Sequence, residues 1–192
     1  MVTGTLLVLC ALSLVIYNAW DDNRAFAAVQ SVLPEIEQKI LDNAGSSNEP
    51  TTAVGDNGDT GVAVIDGHEY IGVISIPSIG IKLPVLGSWS YPLLKISPCR
   101  YSGSVSAGGL VLAGHNYTRH FGKLGNCSIG DSVVFTAVNG VRYYYTVSQI
   151  SMLNKTEFSE MTNPEWDLTL FTCDYRGRLR IAVRCMAAGE NE

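Results

Sequence analysis

Charge is scarce in this chain, and where it is missing is informative. Only 16% of the 192 residues are charged, and the stretch Gly4–Trp20 carries no charge at all. Histidine is rarer still, with three in the whole chain. The five cysteines have no framework: Cys10 lies in the uncharged run, and Cys99, Cys127, Cys173 and Cys185 follow no regular interval. A dense disulfide scaffold is therefore excluded, leaving room for one or two bridges such as Cys99–Cys127. No segment repeats, and Gly and Pro show no period, which excludes collagen-like chains. A hydrophobic content of 46% excludes a disordered acidic chain. The net charge of −5 argues against nucleic acid as a partner, although it conceals an asymmetry. Residues 1–69 carry two basic and ten acidic side chains, whereas residues 70–185 carry eleven basic and six acidic.

What is present at the N-terminus suits a membrane. Gly4–Trp20 supplies about 17 apolar residues, the short end of what spans a ~30 Å hydrocarbon core as a helix. Tyr17 and Trp20 at its far end suit the interfacial belt, and Asp21-Asp22 is compatible with export of the rest of the chain. The alternative is a cleaved signal. An A-x-A-like site exists at Ala25-Phe26-Ala27, but no Lys or Arg precedes the apolar run. The preferred reading is a transmembrane anchor over residues 1–20, with membrane lipid as its partner. A stalk helix is expected over 21–44, where Phe26, Val29, Leu33, Ile36 and Ile40 form one apolar face that rests on the body of the protein or on lipid. Pro34 predicts a kink, or a helix starting near Ser31. Residues 45–69, rich in Gly, Ser, Asn, Thr and Asp, read as a flexible linker with His68 solvated at its margin. A stalk and linker of this kind are expected to hold a domain away from a surface.

From Tyr70 the pattern becomes short β-rich runs between turn residues: 70–76, 79–86, 109–113, 131–137, 141–152, 167–173 and 178–185. Asn139-Gly140 predicts a two-residue hairpin turn. Seven or eight short strands with few helices imply a mostly β fold, a closed barrel or a sandwich. The domain is expected over 70–187, with a tail over 188–192.

Two strand ends carry chemistry. Gly109–Ala113 emerges through Gly114 and presents His115, whereas His120 lies a little further on in a polar loop. Leu168–Phe171 ends on Thr172-Cys173. If the next hairpin centres near Arg176-Gly177, Cys173 faces Arg180 across the ladder. A cation opposite a thiol favours the thiolate and can donate to a developing oxyanion. Arg178 and Arg184 share that strand face, which makes Arg178 the alternative.

These pieces together resemble the sortase family of Gram-positive transpeptidases. The resemblance rests on Ala113-Gly114-His115-Asn116, on Phe121-Gly122-Lys123-Leu124 with Gly130-Asp131 behind it, on the TLxTC signature at Thr169–Cys173, and on Arg180-Ile181-Ala182-Val183 as R-x-x-V. It covers roughly Tyr70–Cys185 and implies a closed eight-stranded sortase-type β-barrel with short helices, behind an N-terminal membrane helix. It further implies a cysteine transpeptidase that cleaves an LPxTG-like sorting signal between Thr and Gly, with no cofactor and no metal. Cys173 would be the nucleophile, His115 the general acid/base and Arg180 the stabiliser of substrate and oxyanion. Thr172 would contact substrate. The partners implied are surface proteins bearing sorting signals and an amine acceptor, either a lipid-linked peptidoglycan precursor or a pilin lysine. The setting implied is the outer face of a Gram-positive membrane, reached by a single span. By the same analogy Phe158, Met161 and Trp166 would form an apolar trough for the signal's Leu-Pro. Simple packing of that loop onto the barrel is the competing expectation. Class B features (Cys173-Asp174-Tyr175) mix with class C and D ones, and no acidic partner for His115 stands out.

Rival readings fit less well. Papain-like enzymes place Cys before His, caspases need a different surround for the cysteine, and His115, His120 and a cysteine lack zinc-ligand spacing. A non-catalytic membrane-anchored domain predicts a buried, inert Cys173.

Overall fold

The computed structural model describes residues 2–45 and 60–188. Helix α1 (Val2–Gly45) is unbroken, and its two halves differ in surroundings. Up to Trp20 its large apolar side chains stand exposed, Leu7 at 71% and Ile16 at 68%. This is a helix long and apolar enough to cross a membrane, and none of its apolar window is buried. Beyond Trp20 a single stripe is buried: Ala25, Val29, Val32, Ile36 and Ile40. The expected stripe is thus rotated slightly, because Phe26 and Leu33 are half-buried flanks while Ala25 and Val32 take interior positions. The helix does not begin near Ser31. Pro34 sits exposed inside it, on the side away from the barrel.

Of the expected linker, residues 46–59 lie outside the described residues, as do 189–192 of the tail. Its last third is not a linker. Strand β1 (Ala63–Ile65) pairs with β2 (His68–Ile76), Ile65 opposite His68. Ala63 and Ile65 are buried and Val64 exposed, an alternation too short to stand out in sequence. Asp66 and Gly67, with φ of 50° and 75°, supply the tight turn. His68 therefore opens a strand instead of lying in a solvated loop.

The remaining strands are β3 (Ile81–Leu86), β4 (Cys99–Ser104), β5 (Gly108–Ala113), β6 (Ser132–Ala137), β7 (Arg142–Asn154), β8 (Leu168–Cys173) and β9 (Leu179–Ala187). Their order is β1-β2-β3-β4-β5-β8-β9-β7-β6, and β6 pairs back onto β2. Strands β2 to β9 thus close an eight-stranded barrel, with β1 appended at its side. Short helices α2 (Tyr91–Leu94) and α3 (Phe158–Met161) lie in connections. Ile79, expected in a strand, belongs to a 3-10 turn. Strand β4 (CRYSGS) lacks an apolar run and pairs with β5 through two register shifts, so nothing in its sequence announces it. The β6–β7 hairpin forms where Asn-Gly predicts one, but around three residues. Gly140 N donates to Ala137 O at 2.9 Å, and only Gly140 takes a positive φ, 89°.

Alternate side chains fill the barrel, among them Leu110 and Leu112, Val133 and Phe135, Leu168 and Leu170, Val183 and Cys185. The other faces of β5, β8 and β9 are covered too. Val111, Ala113, Phe171 and Ala182 belong to a second cluster that includes Leu153, Met161 and, at its far side, Val32, Ile36 and Ile40 of α1. Strands buried on both faces read as continuous hydrophobic runs, which is why β5 and β8 stand out most plainly in the sequence.

Helix α1 lies along the barrel, against β1, β2 and β3. Glu37 pairs with Lys82, and Asn43 Nδ2 donates to Val138 O at 2.8 Å. Of the two supports expected for the stalk helix, the body of the protein and lipid, its apolar stripe takes the first: it is spent on the barrel itself and does not hold the domain away. Ile36→Ala should cost about 2–4 kcal/mol, since Ile36 is fully buried between α1 and the sheet. Urea unfolding of the full chain in detergent measures this, and a loss below about 0.5 kcal/mol, as for a surface site, would show α1 undocked.

Candidate active site

Strands β5 and β8 are parallel neighbours, in register from Leu110 beside Leu168 to Ala113 beside Phe171. Gly114 N continues the ladder, donating to Phe171 O at 3.0 Å. His115 and Cys173 each come two residues after the Ala113–Phe171 pair. On the other side of β8, Cys173 pairs with Arg180 of β9, the register that a turn at Arg176-Gly177 predicts. Imidazole-, thiol- and guanidinium-bearing residues thus stand side by side on three neighbouring segments at one end of the barrel.

Local packing explains why the chain turns there. A Cβ on Gly114 would lie 2.6 Å from the Phe121 ring, so the glycine lets Phe121 plug the barrel directly beneath His115. Thr172 points the opposite way from Cys173, as strand alternation requires. It is buried, and its hydroxyl donates to Gly114 O at 2.9 Å. A substrate contact through that hydroxyl would need this bond broken; as it stands, Thr172 braces the two strand ends. Asn116 Nδ2 donates to Asp174 O at 3.4 Å, a second tie between the histidine and cysteine loops. Asp174 caps its own turn by accepting from Leu179 N at 2.9 Å, the contact that chiefly holds its carboxyl below the usual range.

The cysteines separate cleanly. None is in a disulfide, so Cys99 and Cys127 are not bridged. Burial pushes Cys99 and Cys185 up to about 12 and Cys127 up to about 11, whereas Cys173 is half-exposed. His115 is half-buried, and burial lowers its pKa; the charge of Asp21 opposes that shift and Lys95 adds to it. Arg180 donates from Nη1 to Leu179 O at 3.1 Å and, more weakly, to Gly177 O at 3.5 Å. Arg178 is exposed.

The β7–β8 connection divides the three expected trough residues. Met161 is buried on the face that carries Phe171 and Ala182. Phe158 is 56% exposed. Trp166 lies over the guanidinium of Arg184 at 5.6 Å. Arg184, only 5% exposed, also donates to Gln149 Oε1 and Glu160 O, each at 2.9 Å, and so pins the loop to the sheet. Packing of the loop and an open apolar surface are both present, on different residues.

Some neighbours of the site were not legible. His120, expected in a polar loop, is fully buried against α1; burial drives its pKa down to about 4, with the Ala25 backbone and Asp22 opposing. Tyr117 lies between the two histidines, stacked on His115 at 4.7 Å and edge-on to His120 at 5.4 Å. From Phe171 an aromatic series runs outward through Tyr101 at 5.3 Å and Trp89 at 5.5 Å to Tyr91 at 5.3 Å. Beside it opens a cavity of about 520 Å³ lined by Trp89, Arg100, Tyr101 and Ser102. Among the described residues, no three His, Cys, Asp or Glu side chains cluster as metal ligands would.

An eight-stranded barrel that gathers these three residues at one rim has the architecture of a sortase. The Sortase domain family model matches residues 74–188, and the chain belongs to the sortase family. It is 28% identical over 152 residues to Sortase A of Bacillus anthracis, covering 76% of this chain and 70% of that protein. The Clostridium perfringens Sortase D5 transpeptidase shares the fold with a TM-score of 0.63 at 19% identity, over 85% of this chain and 99% of that one. Clostridium perfringens sortase C, solved with the C-terminal cell wall sorting motif, gives 0.58 at 23%, over 83% and 88%.

Two measurements check the electrostatic account. In folded protein a water-soluble maleimide should label Cys173 and leave Cys99, Cys127 and Cys185 unreacted until denaturant is added; peptide mapping reads the outcome, and equal labelling of all four would refute it. For His120, the folded value of about 4 lies below the ordinary 6.5, so the unfolded chain takes the proton first as pH falls. Stability is whole above pH 6.5 and falls by roughly 3 kcal/mol on the way to about pH 4. His120→Gln should flatten this limb in a series of thermal melts, and an unchanged limb would assign it to other groups.

Proposed function

We propose that this protein is a membrane-anchored cysteine transpeptidase that cuts an LPxTG-like C-terminal sorting signal and joins the new carboxyl end to an amine. The observation that carries the reading is the parallel β5–β8 register, which aligns His115 with Cys173 while β9 sets Arg180 against Cys173. Family membership supports the reaction class, and the apolar helix supports a membrane anchor; the barrel on the outer face of a Gram-positive membrane is part of the same proposal.

The chemistry comes from the residue types. Cys173 Sγ, as thiolate, attacks the carbonyl carbon of the scissile Thr–Gly peptide. The tetrahedral oxyanion collapses, the C–N bond breaks, and His115 gives its proton to the departing glycine amine. A thioester on Cys173 remains. The acceptor, an amino group of a lipid-linked cell-wall precursor or a pilin lysine, attacks the thioester and yields its proton to His115. The C–S bond breaks and the thiolate returns. Arg180 serves the oxyanion and the substrate backbone by swinging its guanidinium from the Leu179 carbonyl toward the thiol. Phe158, the exposed member of the three expected trough residues, suits the signal's Leu and Pro, with Met161 packed into the body of the domain. Trp166 is engaged with Arg184 before the start of β8, at the opposite end of that strand from Cys173.

The test is a peptide assay with fluorescent LPxTG-type signals, with and without amine acceptors. Cys173→Ala should abolish the amide product. His115→Ala should lower kcat/KM by about 10²–10⁴. Arg180→Ala should cost about 10²–10³, as loss of an oxyanion donor does. Undiminished transfer by Cys173→Ala would end the proposal.

A further inference from the structure

The sequence offers no carboxylate near His115, and the structure brings one from the anchor helix. The Tyr117 ring stacks on His115 at 4.7 Å with 29° between the planes. Its hydroxyl donates to Asp21 Oδ2, a bond between residues 96 apart in the chain. The other oxygen, Asp21 Oδ1, accepts from Arg24 Nε at 3.1 Å and Nη2 at 2.9 Å. Asp21 comes directly after Trp20, the last residue of the apolar run, yet its side chain is only 14% exposed.

Each link has a fixed polarity. The Tyr117 hydroxyl and Arg24 together hold the Asp21 carboxyl below its usual range, so it stays an acceptor. Burial and that carboxylate push the Tyr117 phenol well up, so it stays a donor. The charged groups that act on His115 are Asp21 of α1 and Lys95 after α2; Tyr117 stacks on its ring, His120 lies on the edge of Tyr117, and Cys173 of β8 and Arg180 of β9 stand at the neighbouring strand ends. Of these, Asp21 is the one whose charge favours the imidazolium, against burial and Lys95.

We propose that Tyr117 and Asp21 are positioning residues for His115. The first turn of α1 beyond the apolar run clamps the Tyr117 ring, and that ring sets the plane of the imidazole. The anchor helix is on this view a component of the active site. The inference rests on the transpeptidase reading for what His115 does, and the experiment keeps the two separable.

The full chain in lipid nanodiscs is compared with Tyr117→Phe, which keeps the ring and loses the donor, with Asp21→Asn, and with Asp21→Glu as a conservative rescue. Glu35→Gln, an exposed site on the same helix, is the control. Expected for Tyr117→Phe and Asp21→Asn is a fall in kcat of about tenfold with KM within twofold, with Asp21→Glu recovering most of it and the control unchanged. Removing the negative charge destabilises the imidazolium, so in Asp21→Asn the His115 limb of the pH profile moves to lower pH. The pH dependence of Cys173 alkylation by iodoacetamide should show the same displacement without any substrate. Wild-type kcat and an unmoved limb in both Tyr117→Phe and Asp21→Asn would overturn the proposal, even if their melting temperatures fell. Absence of turnover in the wild type would instead count against the transpeptidase reading, and the alkylation profiles would still decide the role of Asp21.

Discussion

The parallel pairing of β5 with β8 is the constraint on which the site depends. Parallel neighbours cannot be joined by a tight turn, so everything between them must form a crossover: the Phe121 plug, the β6–β7 hairpin and the loop holding α3. In exchange, both strands leave the sheet in the same direction and at the same level. Two loops can then deliver side chains to one spot, with the Gly114–Thr172 and Gly114–Phe171 bonds keeping them in step. Strand β9 needs only a short turn to bring Arg180 alongside. Placement at this rim is a matter of backbone hydrogen bonding, independent of the chemistry performed there.

Much of this was legible in the sequence. Leu110–Ala113 and Leu168–Phe171 are unmistakable because they are buried on both faces, and the residues that end them are of reactive types. The Cys173–Arg180 register is set by the turn between them. What escaped detection did so for physical reasons. Strand β4 is held by β5 through bulges and lacks an apolar run. Strand β1 is three residues long and depends on Asp66-Gly67 to fold back. The hairpin at Asn139-Gly140 lies where the dipeptide puts it, though its loop has one residue more than the dipeptide suggests. His120 looked polar because its neighbours in sequence are polar, while its burial comes from α1, which is remote in the chain. The contact from Asp21 to Tyr117 is equally non-local, and no spacing rule joins them.

The helix illustrates how tertiary packing redirects a local signal. Its periodic stripe was visible, with a small error in phase, but a stripe does not say what covers it. Here the barrel covers it, with Val32, Ile36 and Ile40 completing an apolar cluster that continues across the sheet to Phe171 and Ala182. Pro34 lies on the exposed side of the continuous helix, where the carbonyl one turn back that loses its amide partner can bond to water.

Docking of α1 also has a consequence for reach. A helix rises 1.5 Å per residue, so Asp21 stands barely beyond Trp20 along the axis. With Gly4–Trp20 in lipid, the rim bearing His115 is held at headgroup height, as a tool is fixed to a bench instead of hanging from a cord. On the proposed function, such an enzyme would patrol a plane. Chains whose cleavage point emerged from the bilayer at that height would meet the thiol by lateral diffusion alone, while identical peptides tens of ångströms above the bilayer would pass out of range.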